Sequence, residues 1–118
     1  MVSPVTEMPK WIDVGPASAF LEGEHACVQA GCEPAVIFRL DGQWYALRNV
    51  CPHAGRPLGD GARRGNAIVC PHHGYAYNIK TGHNADCPED EPPCRTFPVR
   101  EEAGRVLVQV KQAENHAG

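Results

Sequence analysis

The chain has 118 residues and a formal net charge of −3, from 11 lysines and arginines against 14 acidic residues. That length holds one domain with a modest core and not two full-sized ones, and the mildly acidic balance gives no footing for nucleic acid. No apolar run approaches the roughly 20 residues a membrane-crossing helix needs, and Met1 to Glu7 lacks the basic start and apolar stretch of a signal peptide, so a cytoplasmic protein with no membrane partner is expected.

In chain order, the only helical hint is Ala17 to Glu22, a short stretch. Strand-like runs rich in branched and aromatic residues follow at Ala26–Ala30, Ala35–Leu40 and Gln43–Arg48. Asp41-Gly42 between the last two is a hairpin signal. Ala67-Ile68-Val69 and Tyr75–Ile79 bracket a Pro/Gly turn, and Lys80-Thr81-Gly82 turns the chain again. Thr96–Arg100 and Arg105–Val110 are expected to pair across Glu102-Ala103-Gly104. The 12 glycines and 11 prolines exceed the average share of about 12% and punctuate strands rather than forming a linker. The pattern predicts an all-β fold of small antiparallel sheets, with loose tails outside about Trp11 to Val110.

Two segments stand apart from this punctuation. Cys51-Pro52-His53-Ala54-Gly55 and Cys70-Pro71-His72-His73-Gly74 each place a thiolate and an imidazole on a tight turn, with 16 residues between His53 and Cys70. Two soft sulfurs and two borderline nitrogens suit a mixed [2Fe–2S] cluster, two cysteines holding one iron and two histidines the other. The same set also suits tetrahedral zinc. Spacing opposes zinc, because zinc-finger frameworks pair cysteine with cysteine and histidine with histidine, whereas each turn here contributes one of each.

The continuations Ala54-Gly55-Arg56-Pro57-Leu58-Gly59 and Gly74-Tyr75-Ala76-Tyr77 complete a pattern over which the sequence resembles a Rieske [2Fe–2S] protein, from roughly Trp11 to Val110. The resemblance implies a single Rieske domain over residues 1–118, with a cluster-binding subdomain at about 48–78 and Cys51, His53, Cys70 and His73 as metal ligands. Membrane-anchored respiratory relatives brace their cluster loops with an extra cysteine pair. Arg56 and His72 stand at those positions here, so the ferredoxin-like branch is the nearer likeness. That branch implies a one-electron carrier from a flavoprotein reductase to a terminal oxygenase. The alternatives are the small subunit of an assimilatory nitrite reductase, seated on its large subunit, and a redox sensor or zinc-bound structural domain. No catalytic residue is assigned. The remaining histidines, His25, His72, His83 and His116, are scattered and form no second ligand set.

With neutral histidines the oxidised cluster sums to zero charge and the reduced one to −1, so Rieske potentials lie well above those of plant-type ferredoxins, at roughly −150 to +300 mV. High-potential relatives donate hydrogen bonds to the sulfurs from a serine and a tyrosine after the second loop. Tyr75 occupies the serine's place and Tyr77 the tyrosine's, which implies a potential in the lower half of the range with Tyr77 as the remaining donor. His53 and His73 are expected to present their outer ring edges as the electron exit. His72 is read as an exposed polar residue beside them. Arg56, Arg63 and Arg64 suggest a basic rim. Of the other cysteines, Cys27 sits in a strand-like run as a small buried hydrophobe, and Cys87 and Cys94 flank an acidic Pro-rich loop that a bridge would close, although a reducing compartment favours free thiols.

Overall fold

Residues 7–52, 55–71, 74–85 and 93–113 are described in the computed structural model of the protein. The Val/Ile/Phe/Tyr-rich runs pair as strands where expected: β2 (His25–Ala30), β3 (Glu33–Leu40) and β4 (Gln43–Arg48) form an antiparallel meander. Asp41 and Gly42 join β3 to β4 with φ of 53° and 75°, the double positive-φ turn whose twist matches the flanking strands. The Glu22 carboxylate accepts both turn amides, from Asp41 at 2.6 Å and Gly42 at 2.9 Å.

The helical hint reduces to one 3₁₀ turn at Ala17–Ala19. The expected loose tails are corrected in part, because β1 runs Glu7–Pro16 and pairs with β10 (Arg105–Ala113) from Glu7 opposite Ala113 to Pro16 opposite Arg105. A bulge between Asp13 and Gly15 interrupts the pairing. There the Asp13 carboxylate accepts two bonds from Arg105, at 2.9 and 3.0 Å, tying the bulge to the opposite strand.

The run Thr96–Arg100 divides at Pro98. Lacking an N–H, proline cannot donate to a ladder, and the chain changes sheets at that point. β8 (Thr96–Phe97) pairs with β4, whereas β9 (Val99–Glu102) pairs with β10. The described strands form three antiparallel sheets, in the orders β1-β10-β9, β2-β3-β4-β8 and β5-β6-β7. The third holds β5 (Ala62–Arg64), β6 (Ala67–Val69) and β7 (Ala76–Asn78).

β3 is buried on both faces from Ala35 to Phe38. Ala35 and Ile37, with Ala46 and Phe97, pack against Val106, Val108 and Val110 of β10. Val36 and Phe38, with Leu40 and Leu47, face the other way onto Cys51, Leu58, Ile68, Cys70, Tyr77 and Ile79. At about 1.5–3 kcal/mol per buried aliphatic or aromatic side chain, the second of these cores fixes the β5–β7 lobe to one face of the central sheet and the first fixes β10 to the other. Cys27 corrects the expectation of burial. It lies opposite Val36 on the lobe-facing side of the sheet, but on the edge strand β2, and is exposed there.

Candidate metal centre

The two Cys-Pro segments close the same way. Cys51 N–H donates to the Arg56 carbonyl at 2.7 Å and Gly55 N–H to the Cys51 carbonyl at 2.8 Å. Cys70 N–H donates to Tyr75 at 2.7 Å and Gly74 N–H to Cys70 at 2.9 Å. Gly55 and Gly74 take φ of 68° and 74°, a conformation that costs glycine little and other residues more. β4 feeds the first loop through Asn49 and Val50, while β6 feeds the second and β7 leaves it.

Burial separates the two sides of each loop. Cys51 and Cys70 are both 0% exposed and belong to one apolar core, whereas Gly55, Arg56, Pro71 and Gly74 are exposed. The loops therefore hold their sulfurs inward and their outer backbone at the surface. His53, His72 and His73 lie outside the described residues, as does Cys87.

Tyr77, read from the sequence as a sulfur donor, is fully buried on β7 and carries its hydroxyl to 3.7 Å from Cys51 Sγ. Tyr75 is half-buried and packs against the same core. Arg63 and Arg64 of the suggested rim are exposed on β5, and Arg56 is exposed in the first loop.

Three supporting residues carry no sequence signal. Asn49 Oδ1 accepts the Gly59 N–H at 2.6 Å and His25 Nε2 donates to the Gly59 carbonyl at 3.0 Å, so the first loop is gripped on both sides of one residue. The His25 ring also rests 5.6 Å from that of Phe38. Cys94 is buried and donates its thiol to the Arg48 carbonyl at 3.4 Å, at the end of β4 where the first loop begins. Burial, with the nearby Cys51 sulfur adding to it, pushes the Cys94 thiol up to about 12. Among the described residues, no helix is long and apolar enough to cross a membrane.

Residues 10–110 match the family model of the Rieske [2Fe–2S] domain. The chain is 31% identical over 103 residues to the ferredoxin subunit of anthranilate 1,2-dioxygenase from Burkholderia cepacia, covering 87% of this chain and 94% of that one. It is also similar, with a TM-score of 0.76 and 34% identity over 88% of this chain and 97% of the other, to a chain in a complex of reduced oxygenase and oxidised ferredoxin of carbazole 1,9a-dioxygenase. A putative NADH-dependent nitrite reductase small subunit from Mycobacterium tuberculosis shares the fold, with a TM-score of 0.75 at 23% identity over 87% of this chain and 96% of that one.

Proposed function

Because the chain belongs to the Rieske [2Fe–2S] family, we propose that it is a soluble, cytoplasmic one-electron carrier that takes electrons from a flavoprotein reductase and delivers them to a terminal oxygenase. The observation that carries this is the pair of equivalent loops, each sinking a cysteine sulfur into one apolar core. Cys51 and Cys70 would hold one iron and His53 and His73 the other. Two fully buried soft sulfurs on matched turns fit that donor set. The family's cofactor is a Rieske-type [2Fe–2S] cluster, which supplies when bound a site that accepts and returns a single electron.

The protein's own side chains tune that site. Leu58, Ile68 and Ile79 exclude water from the sulfur side. Tyr77 donates to Cys51 Sγ, favouring the more negative reduced state and raising the potential. The Cys94 thiol points instead to the Arg48 carbonyl at the end of β4. The names of the relatives at 31% and 34% identity favour a dioxygenase system, whereas the nitrite reductase likeness is one of fold.

Dithionite titration under anaerobic conditions tests the cofactor: a red-brown protein should bleach on taking up one electron and give a rhombic EPR signal with average g below two. A colourless zinc protein would overturn the proposal. Capture of the tagged chain from its native extract tests the partner. Recovery of the chain alone, reducible by a flavoprotein fraction, supports the carrier. A stoichiometric large subunit with sirohaem absorbance would make it a nitrite reductase component instead.

A further inference from the structure

The formal charge is divided unevenly along the chain. Between residues 48 and 78 stand four arginines, Arg48, Arg56, Arg63 and Arg64, against one carboxylate, Asp60. That segment therefore carries +3 within a chain of −3, and five of the carboxylates outside it, Asp86, Glu89, Asp90, Glu91 and Glu114, lie outside the described residues. Arg48 is neutralised by Glu33 at 3.2 Å. Among the described residues, no carboxylate lies within ion-pair distance of Arg56, Arg63 or Arg64; Glu22 feels Arg63 only at longer range.

All three arginines are exposed. Arg63 and Arg64 lie on β5, which is exposed throughout and forms the free edge of the β5-β6-β7 sheet. Arg63 is held in place, donating to the Gly23 carbonyl at 3.1 Å and to Gly65 at 2.7 Å. With Asp60, Val69 and Pro71, Arg63 and Arg64 line an open groove of about 410 Å³. Pro71 directly follows Cys70, and Arg56 closes the other cysteine loop through its carbonyl. The groove thus runs from the basic edge into the second cysteine loop.

We propose that Arg56, Arg63 and Arg64 form the docking face of the cluster lobe and that the redox protein it meets presents an acidic surface there. The reading rests on the electron-carrier function. A local excess of positive charge on the lobe draws an acidic partner to that edge and disfavours a basic one. Fixing Arg63 in advance lowers the ordering cost of the contact.

The test uses the reduced holoprotein and two inorganic oxidants of opposite charge, ferricyanide and tris(phenanthroline)cobalt(III), each taking one electron from the protein. If the lobe governs approach, the ferricyanide rate falls about tenfold as salt is added and the cobalt rate rises, although the chain's net charge of −3, made more negative by the reduced cluster, demands the reverse. Arg64→Glu should weaken or invert this salt dependence, with Arg56→Glu as the second variant if the first does not fold. Lys10→Glu, an equal charge change on β1 of the other sheet, should leave the pattern intact. Poly-L-glutamate should slow ferricyanide oxidation of the wild type and not of Arg64→Glu.

A ferricyanide rate that rises with salt would overturn the proposal, showing that the acidic remainder controls the electron exit. Equal effects of Arg64→Glu and Lys10→Glu would also overturn it. Neither result touches the carrier function, which is tested separately by the dithionite titration and by capture of the partner.

Discussion

The Tyr77 hydroxyl and Cys51 Sγ are 3.7 Å apart inside a dry core, so a single oxygen atom is placed to influence the charge on the cluster. A hydrogen bond of this kind is worth about 0.5–1.5 kcal/mol net, which for one electron corresponds to about 20–65 mV. Tyr77→Phe should lower the midpoint by that amount with the fold kept, since only the hydroxyl is lost; protein-film voltammetry that found no shift would remove Tyr77 as a donor. The thiols obey the same local physics with a different outcome. Thiolate is the reactive form, and Cys94, buried with its thiol pushed up to about 12, has almost none at mildly alkaline pH. Cys27 is exposed on its strand, but partial desolvation and the Asp60 carboxylate raise its thiol too. Iodoacetamide should therefore label the exposed Cys32 first, Cys27 more slowly and Cys94 only on unfolding, an order that peptide mapping reads directly; early labelling of Cys94 in native protein would show that its burial is wrong.

Among the elements, the β9–β10 turn carries a visible cost. Ala103 and Gly104 hold φ of 52° and 77°, and a side chain at the first of these positions costs about 1–2 kcal/mol in the left-handed region. Asparagine tolerates that conformation far better, so Ala103→Asn should recover about 1 kcal/mol and raise the melting temperature by about 4 °C; an unchanged or lower value would mean the turn relaxes at no cost. The elements legible in the sequence are those whose pattern is local. β2 to β4 are short runs rich in apolar residues, β3 and β4 set around Asp41-Gly42, and both cysteine loops announce themselves by ligand type and spacing within five residues. β1 does not, because Pro9, Asp13, Gly15 and Pro16 break its alternation and its extended shape comes from the β10 ladder nearly a hundred residues away. β5 is Ala-Arg-Arg on an exposed edge, with no apolar period to detect. The break at Pro98 is visible as a residue but not as a change of sheet, which depends on what β4 and β10 offer on either side. Cys27 fails because β2 is the edge strand of its sheet, so the lobe-facing position beside the buried Val36 stays open to solvent. The grip on Gly59 by His25 and Asn49 and the tether of Cys94 to Arg48 join positions far apart in sequence, so neither leaves a local trace.

The whole molecule divides its stability between two cores of unequal independence. The inner core joins β3, β4 and β8 to β10 through Ile37, Ala46, Phe97, Val106, Val108 and Val110 and contains neither Cys51 nor Cys70. The outer core contains both, and the lobe it supports is built from three strands of three residues each, too short to hold together without help. Metal ligation across the two cysteine loops would supply that help, since binding free energy at such a site becomes folding free energy. Removing the iron with acid and a chelator should therefore release the lobe first. Amides that close it, such as Cys51 to Arg56, Cys70 to Tyr75 and Ile79 to Asn66, should lose hydrogen-exchange protection, while those of the β1–β10 and β2–β3 ladders keep most of theirs, because local opening follows the weakest cooperative unit. Protection lost everywhere at once would make the two cores a single cooperative unit. Protection unchanged in the lobe would show that its short strands stand on Leu58, Ile68, Tyr77 and Ile79 alone.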